Sequence, residues 1–142
     1  MGITGITNGC FDPIHIGHIY NLAVCKSKVD KLIVCLNSDA SVRQLKGESR
    51  PFQLVHEREF ALHSLKYVDD VYIFHDEEQL ETIIFKHQPN FLFKGNEYFG
   101  KEITGQRVVE RGRGKIEYIP HYGNWSSTVL IDHLSEMKEK LK

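Results

Sequence analysis

Ile3-Thr4-Gly5-Ile6-Thr7, followed by Asn8-Gly9-Cys10-Phe11-Asp12-Pro13-Ile14-His15-Ile16-Gly17-His18, decides how the rest of the chain is read. The apolar run predicts a buried strand. Gly9 and Pro13 predict a tight turn, and a helix opens near His15 to Gly17. Two imidazoles thus flank a glycine at a helix start. Free backbone N–H groups and the helix dipole favour an anion there, and the missing side chain of Gly17 lets phosphate come close. Each histidine can donate a hydrogen bond to a phosphoryl oxygen. One histidine near a helix start is usually only a polar end residue. The full spacing of strand, Gly-x-Phe-Asp-Pro, His-x-Gly-His and helix points instead to a site for a nucleoside triphosphate.

Working outward, strand and helix alternate. After the strand Ile3–Thr7, a helix is expected from about Ile16 to Lys26, with Ile19, Leu22 and Ala23 facing inward. Lys31–Asn37 reads as a second strand, and Glu57–Leu65 as a helix with Phe60, Ala61 and Leu65 on one side. Val71–Phe74 is a third strand, Glu77–His87 a helix burying Leu80, Ile83 and Ile84, and Asn90–Phe93 a fourth strand. A short helix carries Val108 and Val109 and stops at Gly112 and Gly114. Lys115–Ile119 is the fifth strand, and Ser126–Leu141 the last helix. Strands separated by helices imply an α/β fold: a parallel five-stranded sheet covered on both faces. Ligands bind such sheets beyond the carboxyl ends of the strands, near the switch point. Polar segments follow the first, second, fourth and fifth strands, which predicts one convergent site. No repeat or linker divides the chain, so residues 1–142 read as a single domain.

Composition narrows the function classes. The chain has 142 residues, 41% hydrophobic and 26% charged, ordinary for a soluble domain with a real core. A formal net charge of −1 provides no broad field for nucleic acid or anionic lipid, so neither partner is expected. Apolar runs such as Leu32–Leu36 are far too short for a bilayer. No signal peptide is read at the N-terminus. Cys10, Cys25 and Cys35 lack metal-ligand spacing and read as reduced thiols of a cytoplasmic protein. His56, His63, His75, His87 and His133 are scattered and read as structural or surface residues.

These residues resemble the nucleotidyltransferases of the cytidylyltransferase-like superfamily, whose fold is Rossmann-like. Gly9–His18 is similar to their glycine, phenylalanine-aspartate and His-x-Gly-His signature. Asn37-Ser38-Asp39-Ala40-Ser41-Val42-Arg43-Gln44-Leu45-Lys46-Gly47 and Arg50-Pro51 resemble the adenylyltransferases of ADP-heptose synthesis. Phe93-Lys94-Gly95-Asn96-Glu97-Tyr98 is similar to their Lys-Gly-Gly-Asp-Tyr segment, Ser126-Ser127-Thr128 to their Ser-Thr-Thr, and Glu57-Arg58 to a Glu-Arg pair opening a helix. The chain departs from the pattern at Asn96-Glu97, at Trp125, which precedes the hydroxyl run, and at Pro13. Class I aminoacyl-tRNA synthetases also carry His-x-Gly-His, but a tRNA-binding region and a Lys-Met-Ser-Lys-Ser-like loop are missing here.

The resemblance implies attack by a substrate phosphate on the α-phosphorus of a nucleoside triphosphate, with pyrophosphate leaving. Positioning and electrostatics carry such a reaction. It implies ATP and a heptose 1-phosphate-like acceptor. CTP with glycerol 3-phosphate, or adenylyl transfer to a cofactor precursor, stays open. His15, His18, Lys46 and Arg58 are the expected catalytic residues, with Lys46 on a mobile-looking loop that closes charge onto the phosphates. Asn8, Gly9, Cys10, Phe11, Gly17, Lys94, Gly95, Ser126, Ser127 and Thr128 are the expected nucleotide contacts. Ser127 and Thr128 can equally cap the last helix. Asp12, Asp39 and Arg50 are placed on the substrate side, and either carboxylate can instead fix a turn. Mg2+ is expected on the triphosphate, with no protein ligand named. Family members commonly pair, so a homodimer is expected.

Overall fold

The computed structural model describes residues 2–141. Its elements are β1 (Thr4–Gly9), α1 (Ile16–Ser27), β2 (Lys31–Asn37), α2 (Asp39–Lys46), α3 (Val55–His63), β3 (Asp70–Phe74), α4 (Glu77–His87), β4 (Phe91–Gly95), α5 (Gln106–Arg111), β5 (Lys115–Ile119) and α6 (Ser127–Lys140), with one 3-10 turn at Asn96–Tyr98. Strand β2 shows why the sheet is double-faced. Leu32, Val34 and Leu36 pack on one side with Leu22 and Cys25 of α1 and Leu62 of α3. Ile33 and Cys35 pack on the other with Leu80 and Ile84 of α4 and Val109 of α5. Side chains alternate along a strand, so an unbroken apolar run fits only where helices cover both faces.

The strands run in the order β3-β2-β1-β4-β5, and every pairing is parallel. This is the Rossmann-like sheet expected from the alternation. Its order reverses between β1 and β4. There β1 pairs with β2 along its whole length, Thr4↔Lys31 to Gly9↔Leu36, but with β4 only at Gly5↔Phe91 and Ile6↔Leu92. Beyond Ile6 and Leu92 the two strands part, and a cleft opens at the carboxyl edge where ligands bind this class of sheet.

The structure corrects three local expectations. Lys46 is not on a loop: it ends α2, a helix capped by Ser38, whose hydroxyl accepts the Ser41 N–H. Helix α3 begins at Val55, and its buried face carries Arg58 and Leu62, whereas Phe60 is 75% exposed. A hydrophobicity pattern cannot anticipate a buried arginine, which is why the face was misassigned. In α1 the buried residues are Gly17, Leu22 and Cys25, a stripe shifted from the expected one.

Candidate active site

Histidines cap α1 at both positions of a reciprocal pair. His15 is the N-cap residue, and its Nδ1 accepts the Gly17 N–H at 3.0 Å. His18 lies at the third helical position, and its Nδ1 accepts the His15 N–H at 3.2 Å. This is the geometry of a capping box, with imidazoles replacing the usual hydroxyl and carboxylate. It also fixes the tautomers. A nitrogen that accepts a backbone N–H carries no proton, so in each neutral ring the proton sits on Nε2. The rings stack with centroids 3.8 Å apart. Burial holds the His15 pKa below its ordinary value; burial, and then the neighbouring His15, push His18 down to about 3. Both are therefore neutral Nε2–H donors at pH 7. Gly17 is required at this turn, because a Cβ there would lie 2.9 Å from Cε1 and 3.0 Å from Nδ1 of His15.

Phe11 supports the pair from beneath. Its ring lies 4.9 Å from that of His18, and its backbone is left-handed with φ 49°. That conformation costs a non-glycine residue roughly 1–2 kcal/mol, and burial of the ring offsets the cost.

These residues line a cleft of about 880 Å³ shared by the ends of all five strands. The cleft brings together Asn8, Gly9, Cys10, Phe11, Asp12, His15, Gly17, His18, Lys46, Arg50, Lys94, Gly95, Ser126, Ser127 and Thr128. It also includes residues that the sequence reading missed. His75, Asp76 and Glu77 follow β3 and line the same space, with His75 exposed as expected. The rule that found the other segments, polar residues following a strand, applies to them too. Asn21, one turn beyond His18, gave no sequence signal. The Oδ1 atoms of Asn8 and Asn21 are buried, and among the described residues none donates a hydrogen bond to them.

Two expected site residues lie elsewhere. Arg58 does not reach the cleft; it is fully buried, and its guanidinium is spent on structure. Nη1 donates to the carbonyls of Cys10 and Asn37, Nε to that of Gln53, and Nη2 to Asp39 Oδ1 at 2.7 Å. It ties the ends of β1 and β2 to the start of α2. Asp39 is paired with Arg58 and is not among the residues lining the cleft. Asp12 lines the cleft, but its carboxylate also anchors a loop: it accepts Arg50 Nε at 2.8 Å and the N–H groups of Phe52 and Gln53, each at 2.7 Å. Burial pushes the Asp12 pKa up, yet Arg50 and those two N–H groups outweigh it and hold the carboxyl below its usual value.

At the start of α6 the hydroxyls divide the work. Ser126 is the cap, accepting the Val129 N–H at 3.0 Å, while Ser127 donates to the Pro13 carbonyl at 2.9 Å. The second bond docks α6 against the turn that carries the histidines. Across the cleft, Lys94 Nζ lies 5.0 Å from the Tyr98 ring centre, and burial lowers its pKa against the pull of Glu97 and Glu77. Glu97 Oε2 and His121 Nε2 meet at 3.0 Å, joining the segments after β4 and β5. The Cys10 thiol is pushed up by burial despite Lys46, Arg58 and Arg50, so it stays protonated at neutral pH. Among the described residues no group of three or more His, Cys, Asp or Glu side chains is placed to hold a metal ion, and no helix is long and apolar enough to cross a membrane.

A family model described as cytidylyltransferase-like matches residues 6–132. The chain belongs to the cytidylyltransferase-like family. Among curated cytidylyltransferase-like relatives, it is 41% identical over 132 residues to the bifunctional protein HldE of Rhodopseudomonas palustris, and 42% identical over 128 residues to that of a Bradyrhizobium species. These alignments cover 93% and 90% of this chain but 27% and 26% of those proteins, so the chain spans about a quarter of their length. The lipopolysaccharide core biosynthesis protein of Thermoplasma volcanium has the same fold, with a TM-score of 0.66 at 22% identity, covering 86% of this chain and 98% of its own. A bifunctional NMN adenylyltransferase/ADP ribose pyrophosphatase of Francisella tularensis, solved with AMP and a manganese ion, superposes with a TM-score of 0.62 at 16% identity, over 90% of this chain and 40% of its own.

Proposed function

We propose that this cytidylyltransferase-like domain transfers AMP from ATP to a sugar phosphate of the heptose 1-phosphate type and releases pyrophosphate. The observation that carries the reading is the stacked His15–His18 pair, with its Nε2–H edges at a helix start inside one large cleft. An acceptor phosphate oxygen forms the bond to the α-phosphorus while the bond to the pyrophosphate oxygen breaks. The nucleophile is already an anion, so no general base is needed. The two imidazoles donate to phosphoryl oxygens, Lys46 and Arg50 supply positive charge, and the N-termini of α1 and α6 add the positive ends of their helix dipoles. The cleft is also lined by Asp76, Glu77, Glu97 and Glu102. Carboxylates accept hydrogen bonds from hydroxyls, which suits a polyhydroxylated acceptor.

A divalent cation is part of this proposal. With Asp12 and Asp39 already engaged, it would be held chiefly by triphosphate oxygens and water, where it neutralises charge on the leaving pyrophosphate. A cytoplasmic setting fits the three free thiols. We also infer a homodimer through α6. Leu130, Leu134, Met137 and Leu141 follow one another at intervals of four, three and four along that helix. Leu134, Met137 and Leu141 are 53%, 47% and 86% exposed, a stripe that matches itself on a second copy. Light scattering should give twice the chain mass; a monomer at micromolar concentration removes the inference.

The deciding experiment offers ATP and CTP separately with heptose 1-phosphate and with glycerol 3-phosphate, and measures pyrophosphate. Turnover with ATP and the heptose supports the reading. Turnover with CTP alone reverses the base assignment, and turnover only with glycerol 3-phosphate reverses the acceptor.

A further inference from the structure

Trp125 is the sequence's one tryptophan and immediately precedes the Ser126 cap of α6. Its ring faces that of His15, with centroids 6.3 Å apart and 30° between planes. His15 in turn stacks on His18, and His18 meets Phe11. Four rings thus meet in succession, Phe11 with His18, His18 with His15, and His15 with Trp125. The first of them, Phe11, is 6% exposed, and the last, Trp125, 43%. Gly17 lies between Trp125 and His15 in the chain's packing: a Cβ there would come within 3.3 Å of the Trp125 Cβ and 2.9 Å of His15 Cε1. The bond from the Gly17 N–H to Nδ1 holds one edge of the His15 ring. The ring also contacts two other rings, His18 at 3.8 Å and Trp125 at 6.3 Å between centroids, and these contacts restrain it further.

We propose that Trp125 is a positioning residue for His15, holding its Nε2–H toward the bound triphosphate by ring-to-ring contact. This rests on the triphosphate reading of the histidines given above. The contact contributes through orientation, so its loss lowers kcat more than nucleotide affinity.

Two substitutions separate the ring from its bulk. Trp125→Leu keeps apolar volume without a ring; Trp125→Phe keeps a ring. With ATP, Mg2+ and heptose 1-phosphate, kcat falls about tenfold in the leucine variant, with the KM for ATP changed by less than about threefold, and the phenylalanine variant recovers most of the loss. The wild-type protein supplies a second readout: emission of its single tryptophan shifts when inorganic tripolyphosphate is added. Equal kcat in the two variants, whether high or low, overturns the role. So does an emission spectrum that stays fixed while calorimetry shows tripolyphosphate bound. If the wild-type protein neither binds ATP nor turns it over, the triphosphate reading itself falls, and the positioning role falls with it.

Discussion

The backbone N–H of His15 donates to Nδ1 of His18 at 3.2 Å, and the two rings stack 3.8 Å apart. One residue therefore sets both the proton position and the plane of the other. In a neutral His18 the proton is left on Nε2, the atom free to meet a phosphoryl oxygen.

Replacing His18 by alanine should lower kcat by a factor on the order of 10² while changing ATP affinity far less, as expected of a donor used mainly in the transition state. Steady-state kinetics beside calorimetric ATP titration checks this. Parallel loss of binding and turnover would assign His18 to ground-state binding instead.

The depressed pKa of His18 makes stability depend on pH. The unfolded chain protonates this histidine near 6.5, whereas the folded one resists protonation down to about 3. The contribution is intact above the unfolded value and is lost as pH falls toward the folded one. By pH 5 the loss is on the order of 2 kcal/mol. Urea unfolding of the wild-type protein at pH 7 and pH 5, beside His18→Gln, should show the larger loss in the wild type, the variant keeping only the share that other depressed histidines such as His15 contribute. An identical pH response in the variant would refute a buried neutral imidazole.

Arg58 and Lys46 should separate stability from catalysis. Arg58→Ala strands Asp39 and three carbonyls, and is expected to destabilise the fold by about 3–5 kcal/mol. Lys46 is exposed at the end of α2, so Lys46→Ala should unfold at nearly the wild-type urea concentration but lose kcat/KM. A stable, inactive Arg58→Ala protein would return that arginine to the cleft.

Asp12→Asn removes the charge that holds Arg50 and weakens the clasp on Phe52 and Gln53. A loss of about 2 kcal/mol is expected, with faster proteolytic cleavage between residues 47 and 54. Unchanged cleavage would mean that the loop is held by other contacts.

The sequence made the sheet legible because period and punctuation reported it directly. Leu32–Leu36 has the unbroken apolar run of a double-covered strand, and Gly9 with Pro13 marks the turn into α1. His15 and His18 were legible because their spacing encodes a helix start. Arg58 was not. Its role depends on carbonyls of residues 10, 37 and 53, which only the folded chain brings together. Helix α2 was hidden by polar composition, since six of its eight residues lie on or near the surface and only Ser41 and Val42 are buried. His75 to Glu77 were overlooked because no motif marks them; the length of β3 alone carries them to the rim.

The parting of β1 from β4 above Ile6 and Leu92 has a mechanical consequence. Only two rungs join the part of the sheet built by the first three strands to the part built by the last two. A small tilt about that seam would change the distance between the imidazoles, which follow β1, and Glu97, which follows β4, while Asp76 and Glu77, which follow β3, stay on the imidazoles' side.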